Sequence, residues 1–238
     1  KLKSKGIHPL RISHRLSTSD AANPTTKSID LSSNGNNTLT IHSNTNNSPR
    51  PLKLNHLNKG IGYIQDGLPI DTPFDFSYKN YFSLSAQHEM IKRVIFPEAF
   101  KASERFLISE EKRNFLLESM HKLPREQGYD PKTYYDSYGK FLWFGDTKKQ
   151  LPKHIKIYNK VGYAYGTLTD CAFIEDRKNN LSYFVTATIL VNQNGIFNDN
   201  NYEYDSIGIP FLAKLGRQIH KYEKYRKKNL RTSISKGQ

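Results

Sequence analysis

Residues 154–191 read HIKIYNKVGYAYGTLTDCAFIEDRKNNLSYFVTATILV, and this stretch decides the fold class. From Leu181 to Val191, the series Ser182, Phe184, Thr186, Thr188 and Leu190 alternates with Tyr183, Val185, Ala187, Ile189 and Val191. A period of two over this length is the mark of a β-strand. Cys171–Glu175 reads as the strand before it, with Asp176–Asn180 as the turn between them. His154–Val161 and Ala164–Leu168 read as one longer strand interrupted by a glycine. Links this short join only antiparallel neighbours, so the expected core is an antiparallel meander.

Helices flank that meander in sequence. Ser83 or Ser85 is placed to cap a helix whose apolar stripe is Leu84, Met90, Ile91, Val94 and Ile95, ending at Pro97. A second is expected from Ser109 to about Lys122, with Phe115, Leu116, Met120 and Leu123 on one face and Pro124 as its stop. A closing helix starts near Asp205 or Ser206, carries Pro210 in its first turn and presents Phe211, Leu212, Leu215, Ile219 and Tyr222. The aromatic run Tyr134–Phe144 is expected to pack on the core. Asp66-Gly67 marks a hairpin within Lys59–Phe76. Further upstream, Leu10–Ser13 reads as a short strand. Residues 17–50 are rich in Ser, Thr and Asn and read as a loop, relieved by one short strand at Asn37–His42. The resulting division is an N-terminal strand and polar, partly disordered loop region (1–58), an α/β portion (59–230) and a basic tail (231–238). The fold class is α+β: an antiparallel sheet flanked by helices.

Composition narrows the function. The 238 residues are 36% hydrophobic with 15 Tyr and 13 Phe, a real core beside polar stretches. No run is long and apolar enough to suggest a membrane span. A single cysteine, Cys171, excludes an internal disulfide framework and multi-thiolate metal sites. None of the eight histidines pairs with another at i, i+3 or i, i+4, so no helix-borne metal site is expected. Lys and Arg exceed Asp and Glu, 36 to 22, for a net charge of +14. Such an excess can hold a polyanion. Yet the cations are scattered, the densest run (His220–Lys228) sits at a helix end, and no sequence mark of a common nucleic-acid module is present. Nucleic acid is therefore not the expected partner.

Chemistry points to Lys160–Ala172, KVGYAYGTLTDCA. A strand-borne lysine offers positive charge to an anionic group and eases proton transfer. Gly162 lets a substrate backbone come close. The Tyr163 N–H is a candidate oxyanion donor, a contact worth roughly 3 kcal/mol in a transition state. This segment resembles the Lys-Thr/Ser-Gly strand of the penicillin-recognising serine hydrolases, the class A β-lactamases, transpeptidases and their bacterial relatives. Lys160-Val161-Gly162 stands at the triplet, Tyr165-Gly166 follows, and Thr169-Asp170-Cys171-Ala172 closes the turn into the next strand. The FPEAF segment (96–100), RISHRLS (11–17) and the order of strands and closing helix extend the similarity over most of the chain.

The resemblance implies a β-lactamase-like fold, incomplete here, and acyl-enzyme chemistry on an ester, amide or peptide bond. Lys160, Gly162 and Tyr163 are then the catalytic-site residues. It implies a small-molecule or peptide substrate, no cofactor or metal, and a periplasmic or cell-envelope location. Val161 lacks the hydroxyl that helps the family bind a substrate carboxylate, which points away from ordinary β-lactam hydrolysis. The family's nucleophile, Ser-x-x-Lys, has four matches: Ser109-Lys112, Ser119-Lys122, Ser137-Lys140 and Ser233-Lys236. None stands in the family's order, and Tyr78-x-Asn80 precedes Ser109 instead of following it. The expectation is that the nucleophile lies upstream of Lys1 and that this chain alone is inactive. The rival is a non-catalytic basic domain that holds a polyanion or an acidic protein. Asp170 as an acid, Cys171 as a thiol, His14 as a cleft residue and Asn198–Tyr204 as a calcium loop are weaker candidates, each with a structural role as its default.

Overall fold

A computed structural model describes residues 2–15, 23–48 and 50–235 of the chain. In chain order the strands are Leu10–Arg11 (β1), Ile29–Ser33 (β2), Asn36–Ile41 (β3), Asn58–Lys59 (β4), Gly62–Gln65 (β5), Leu68–Ile70 (β6), Phe74–Asp75 (β7) and Tyr81–Phe82 (β8). After them come the helices Leu84–Ile95 (α1) and Glu110–His121 (α2) and the single turn Phe141–Phe144 (α3). Then follow Ile155–Ala164 (β9), Thr167–Asp176 (β10), Leu181–Leu190 (β11), Ile196–Phe197 (β12) and Ile209–Ser235 (α4). The architecture is thus mixed α+β, with helices around small, largely antiparallel sheets.

The meander is the largest of these sheets, three antiparallel strands in the order β11-β10-β9. Its first turn differs from the sequence expectation. Tyr165 and Gly166 take left-handed backbone (φ 51° and 73°) and reverse the chain, so β9 ends at Ala164. Two such residues in a row fit a right-twisted two-residue hairpin. A side chain at 166 would stand 2.6 Å from the Val191 carbonyl, so only glycine fits there. Thr169–Ala172 therefore lies inside β10 and not in a turn.

Alternation gives the sheet two faces. One carries Ile155, Ile157, Leu168, Ala172, Ile174, Leu181, Tyr183, Val185 and Ala187 against Leu142 and Leu212. The other carries Cys171 and Phe173 against Ile91 and Ile95 of α1, with Leu117 and Met120 of α2 beside them. Ser83 caps α1 by accepting from the Ala86 N–H, and Ser109 caps α2 by accepting from Lys112.

Two expected helix faces are corrected in part: Met120 and Leu123, and Leu212, Leu215 and Ile219, do pack on the core. In α2, Phe115 is 76% exposed and Leu116 38%, because the helix touches the body along the Leu117–Met120 ridge. In α4, Phe211 and Tyr222 face solvent. Gly216 lets the Trp143 backbone to 2.3 Å of where a Cβ would stand, and this turns the buried side toward Leu212, Ala213, Gly216 and His220.

A second, aromatic cluster forms beside the β9–β10 turn. The expected Asp66-Gly67 hairpin joins β5 to β6, and β12 pairs with β5 in parallel. Phe74, Phe76 and Phe197 gather there, and Tyr165 packs on Phe74 and Phe76 with centroids 5.5 and 5.6 Å apart. In the polar N-terminal region, Asn34-Gly35 closes a hairpin of β2 and β3 where one strand was expected. Part of the polar segment (16–22 and 49) and the last residues of the tail (236–238) lie outside the described residues.

Candidate active site at the outer edge of β9

β9 is an edge strand, and its last five residues are the candidate site. Ala164 and Thr167 flank the two-residue turn. Residues in that position exchange both backbone hydrogen bonds, and alternation then sends the N–H and C=O of Tyr163 and Val161 to the free edge. The Lys140 ammonium reaches Ile157 O, two pairs further down the same edge, at 2.9 Å, in keeping with this phase. Among the described residues nothing accepts from the Tyr163 N–H.

Lys160 projects from the helix-bearing α1/α2 face, in register with Cys171 and Thr186. α1 reaches this face at the Cys171–Thr186 row, where Cys171 Sγ donates to Gln87 O at 3.5 Å and His88 Nδ1 lies 3.1 Å from Thr186 Oγ1. Lys160 in that row, and Gly162, Ala164, Thr188 and Leu190 beyond it, are all exposed. Lys160 Nζ donates to Val161 O at 2.5 Å and pairs with no carboxylate among the described residues. Gly162 has no heavy atom within 4 Å of a built Cβ, and its φ lies outside the left-handed region. Neither packing nor backbone conformation demands glycine there. Val161 points to the opposite face, half-buried on the core, and the exposed Tyr163 ring packs on Tyr204 at 5.2 Å.

Directly beneath the site lies a buried polar network that the sequence reading missed. Lys140 Nζ donates to Met120 O (2.6 Å), Ile157 O (2.9 Å) and Asn159 Oδ1 (2.7 Å). Asn159 Nδ2 donates to Gly139 O (2.8 Å) and Asp170 Oδ1 (2.9 Å), and the Leu142 N–H donates to Asp170 Oδ2 (3.0 Å). Burial pushes the Lys140 ammonium down to about 8, against the attraction of Asp170 and Glu126. Burial likewise pushes Asp170 up to about 6, against hydrogen bonds from Leu142 and Asn159. Asp170 is therefore a strut of the interior and not a turn residue. Its strand pattern gave no hint, because an Asp at an alternating core position is legible only when its partners, 11 and 28 residues away, are known.

The remaining sequence candidates are dispersed. Ser109 is a helix cap, Ser119 Oγ donates to Phe115 O, and Ser137 is buried and donates to Thr147 O. The side chain of Ser233 lies outside the described residues. Asn80 clasps the backbone of Ser13 and His14, and His14 Nε2 lies 3.4 Å from the Asn80 N–H. Cys171 is buried against Thr186 Oγ1 (3.2 Å), and burial pushes its thiol up to about 11, which keeps it protonated.

A second polar cluster ties α4 to the far end of the sheet: Asp176 Oδ2 lies 3.2 Å from His220 Nε2, and Tyr183 OH 3.3 Å from His220 Nδ1. Trp143 stacks on the His220 ring at 3.9 Å. Among the described residues no group of three or more His, Cys, Asp or Glu is placed to hold a metal ion, and no helix is long and apolar enough to cross a membrane. No protein-family model, no curated protein and no solved structure matches the chain.

Proposed function

We propose that the chain forms one wall of the acyl-transfer pocket of a serine hydrolase related to the β-lactamases and transpeptidases. Its bond is an ester, amide or peptide. Gly162 carries the reading. It is an exposed strand glycine that the fold itself does not require, beside an outward N–H and a carboxylate-free ammonium. A substrate laid along the β9 edge meets bare backbone at Gly162, the Tyr163 N–H as oxyanion donor and Lys160 as the positive charge. These groups bind and polarise; they do not attack. The hydroxyl nucleophile comes from polypeptide that completes the sheet.

The other edge supports that last step. β11 is a ten-residue edge strand with no charge, proline or glycine, and among the described residues only β10 pairs with it. Long, flat, uncharged edges are rarely left bare. The product of the complete open reading frame, treated with a fluorophosphonate probe, is expected to carry the label on one serine. Lys160→Ala should slow labelling about a hundredfold without loss of fold, the scale set by removal of one transition-state charge contact. A complete product that no serine-directed probe labels would falsify the proposal and favour the basic binding domain.

A further inference from the structure

We propose that the outward face of α4 rests on an anionic lipid surface. The helix is 27 residues, about 40 Å long. It packs on the body through Leu212, Ala213, Gly216 and His220, and Lys227 donates to Asn179 O at 3.2 Å. On the opposite side Phe211, Lys214, Gln218, Lys221, Tyr222 and Tyr225 are all exposed. At about 100° per residue, Phe211, Gln218, Tyr222 and Tyr225 share one azimuth, and Lys214 and Lys221 run alongside. Phe211 is 46% exposed, Tyr222 61% and Tyr225 65%.

Charge chooses the occupant. Residues 209–235 hold eight Lys and Arg and one acid, Glu223, a net +7 that is half of the charge of the whole chain. Glu223 is already engaged by Arg226 (2.6 Å) and lies on the inner side. Lys214, Lys221 and Lys224 have no carboxylate partner among the described residues. A convex ridge of Phe and Tyr flanked by lysines matches the headgroup level of a bilayer, where amphipathic rings and cations both find partners. A nucleic-acid strand asks instead for a groove that tracks its backbone. The basic, tyrosine-rich segment beside the helix is tied to it through Arg217. Asp146 pairs with Arg217 at 2.7 Å, and Lys148 lies over the Tyr135 ring at 5.6 Å.

Co-sedimentation with phosphatidylcholine vesicles, with and without phosphatidylglycerol, tests this. Binding is expected only when the anionic lipid is present, and raised salt should weaken it. The exposed pair Lys214→Glu/Lys221→Glu should lower partitioning at least about thirtyfold, given the attraction each surface lysine adds near anionic lipid. Tyr222→Ser/Tyr225→Ser should lower it severalfold with the charge intact. The pair Lys53→Glu/Lys112→Glu, also exposed and with the same change in net charge, should bind as the parent does. Three results overturn the proposal: binding indifferent to phosphatidylglycerol, equal loss in both charge-reversed pairs, or displacement of the vesicles by a single-stranded oligonucleotide at matched charge.

Discussion

Lys140 shows how much a single side chain can decide here. It is 5% exposed, and its three donors are used on Met120 O of α2 and on Ile157 O and Asn159 Oδ1 of β9, so one ammonium ties both elements to the segment that carries it. Lys140→Met keeps the bulk but leaves those acceptors and Asp170 without a cation. A loss of about 3 kcal/mol is expected, read as a lower urea midpoint, because breaking a buried charged network costs far more than a surface pair. The pH dependence has a definite sign. Because the folded-state pKa of Lys140 lies at about 8, below the ordinary lysine value of 10.5, this group's contribution is present above 10.5 and lost as pH falls through 8. Wild-type stability relative to Lys140→Met should therefore widen between pH 8 and 10. A flat difference would mean that the amine is solvated. Asp170 acts in the opposite sense. Its raised pKa adds stability below about 4 that is lost as pH rises through about 6.

Elements were legible in the sequence where the signal was local. Ser83 and Ser109 announced their helices, Asp66-Gly67 its hairpin, and the alternation of Leu181–Leu190 its strand, because caps, turns and period depend on near neighbours. Orientation was legible only in part: Leu212, Leu215 and Ile219 do face the core. Phe211 and Tyr222 looked like a core stripe, yet Gly216 and the Trp143 backbone, 73 residues apart in sequence, set the rotation of α4. Tyr165-Gly166 was read through as strand, although two left-handed residues in a row make the turn. The proposed site residues Lys160, Gly162 and Tyr163 come from the sequence, but the network beneath them does not, since its members are joined only in three dimensions. Gly216→Ala weighs the two kinds of information against each other. Helix propensity favours alanine by about 1 kcal/mol, while a Cβ 2.3 Å from the Trp143 N cannot be accommodated without moving backbone. The clash wins, and a net loss of about 2 kcal/mol is expected. A rise in melting temperature would show that α4 can re-seat.

At the scale of the molecule, the three-stranded sheet ends on β9 and β11, and among the described residues no further strand pairs with either. β11 offers an outward row of backbone groups with no described partner, and it joins buried Tyr183, Val185 and Ala187 to exposed Thr188 and Leu190. The isolated chain should self-associate through this edge as its concentration rises. Ser182→Lys/Leu190→Lys, both at exposed positions, should suppress the light scattering by placing charge along the edge. Unchanged scattering would move the sticky surface elsewhere, to the apolar side of the β2–β3 hairpin where Ile29, Leu31, Leu39 and Ile41 are each about half exposed. The stack of Trp143 on His220 has an optical corollary. The chain has one tryptophan, so its indole emission comes from a single seam, that between the closing helix and the strands. An imidazolium quenches an indole it touches, which makes that emission brighten on alkaline titration and jump when the helix peels away, a built-in gauge that needs no added dye.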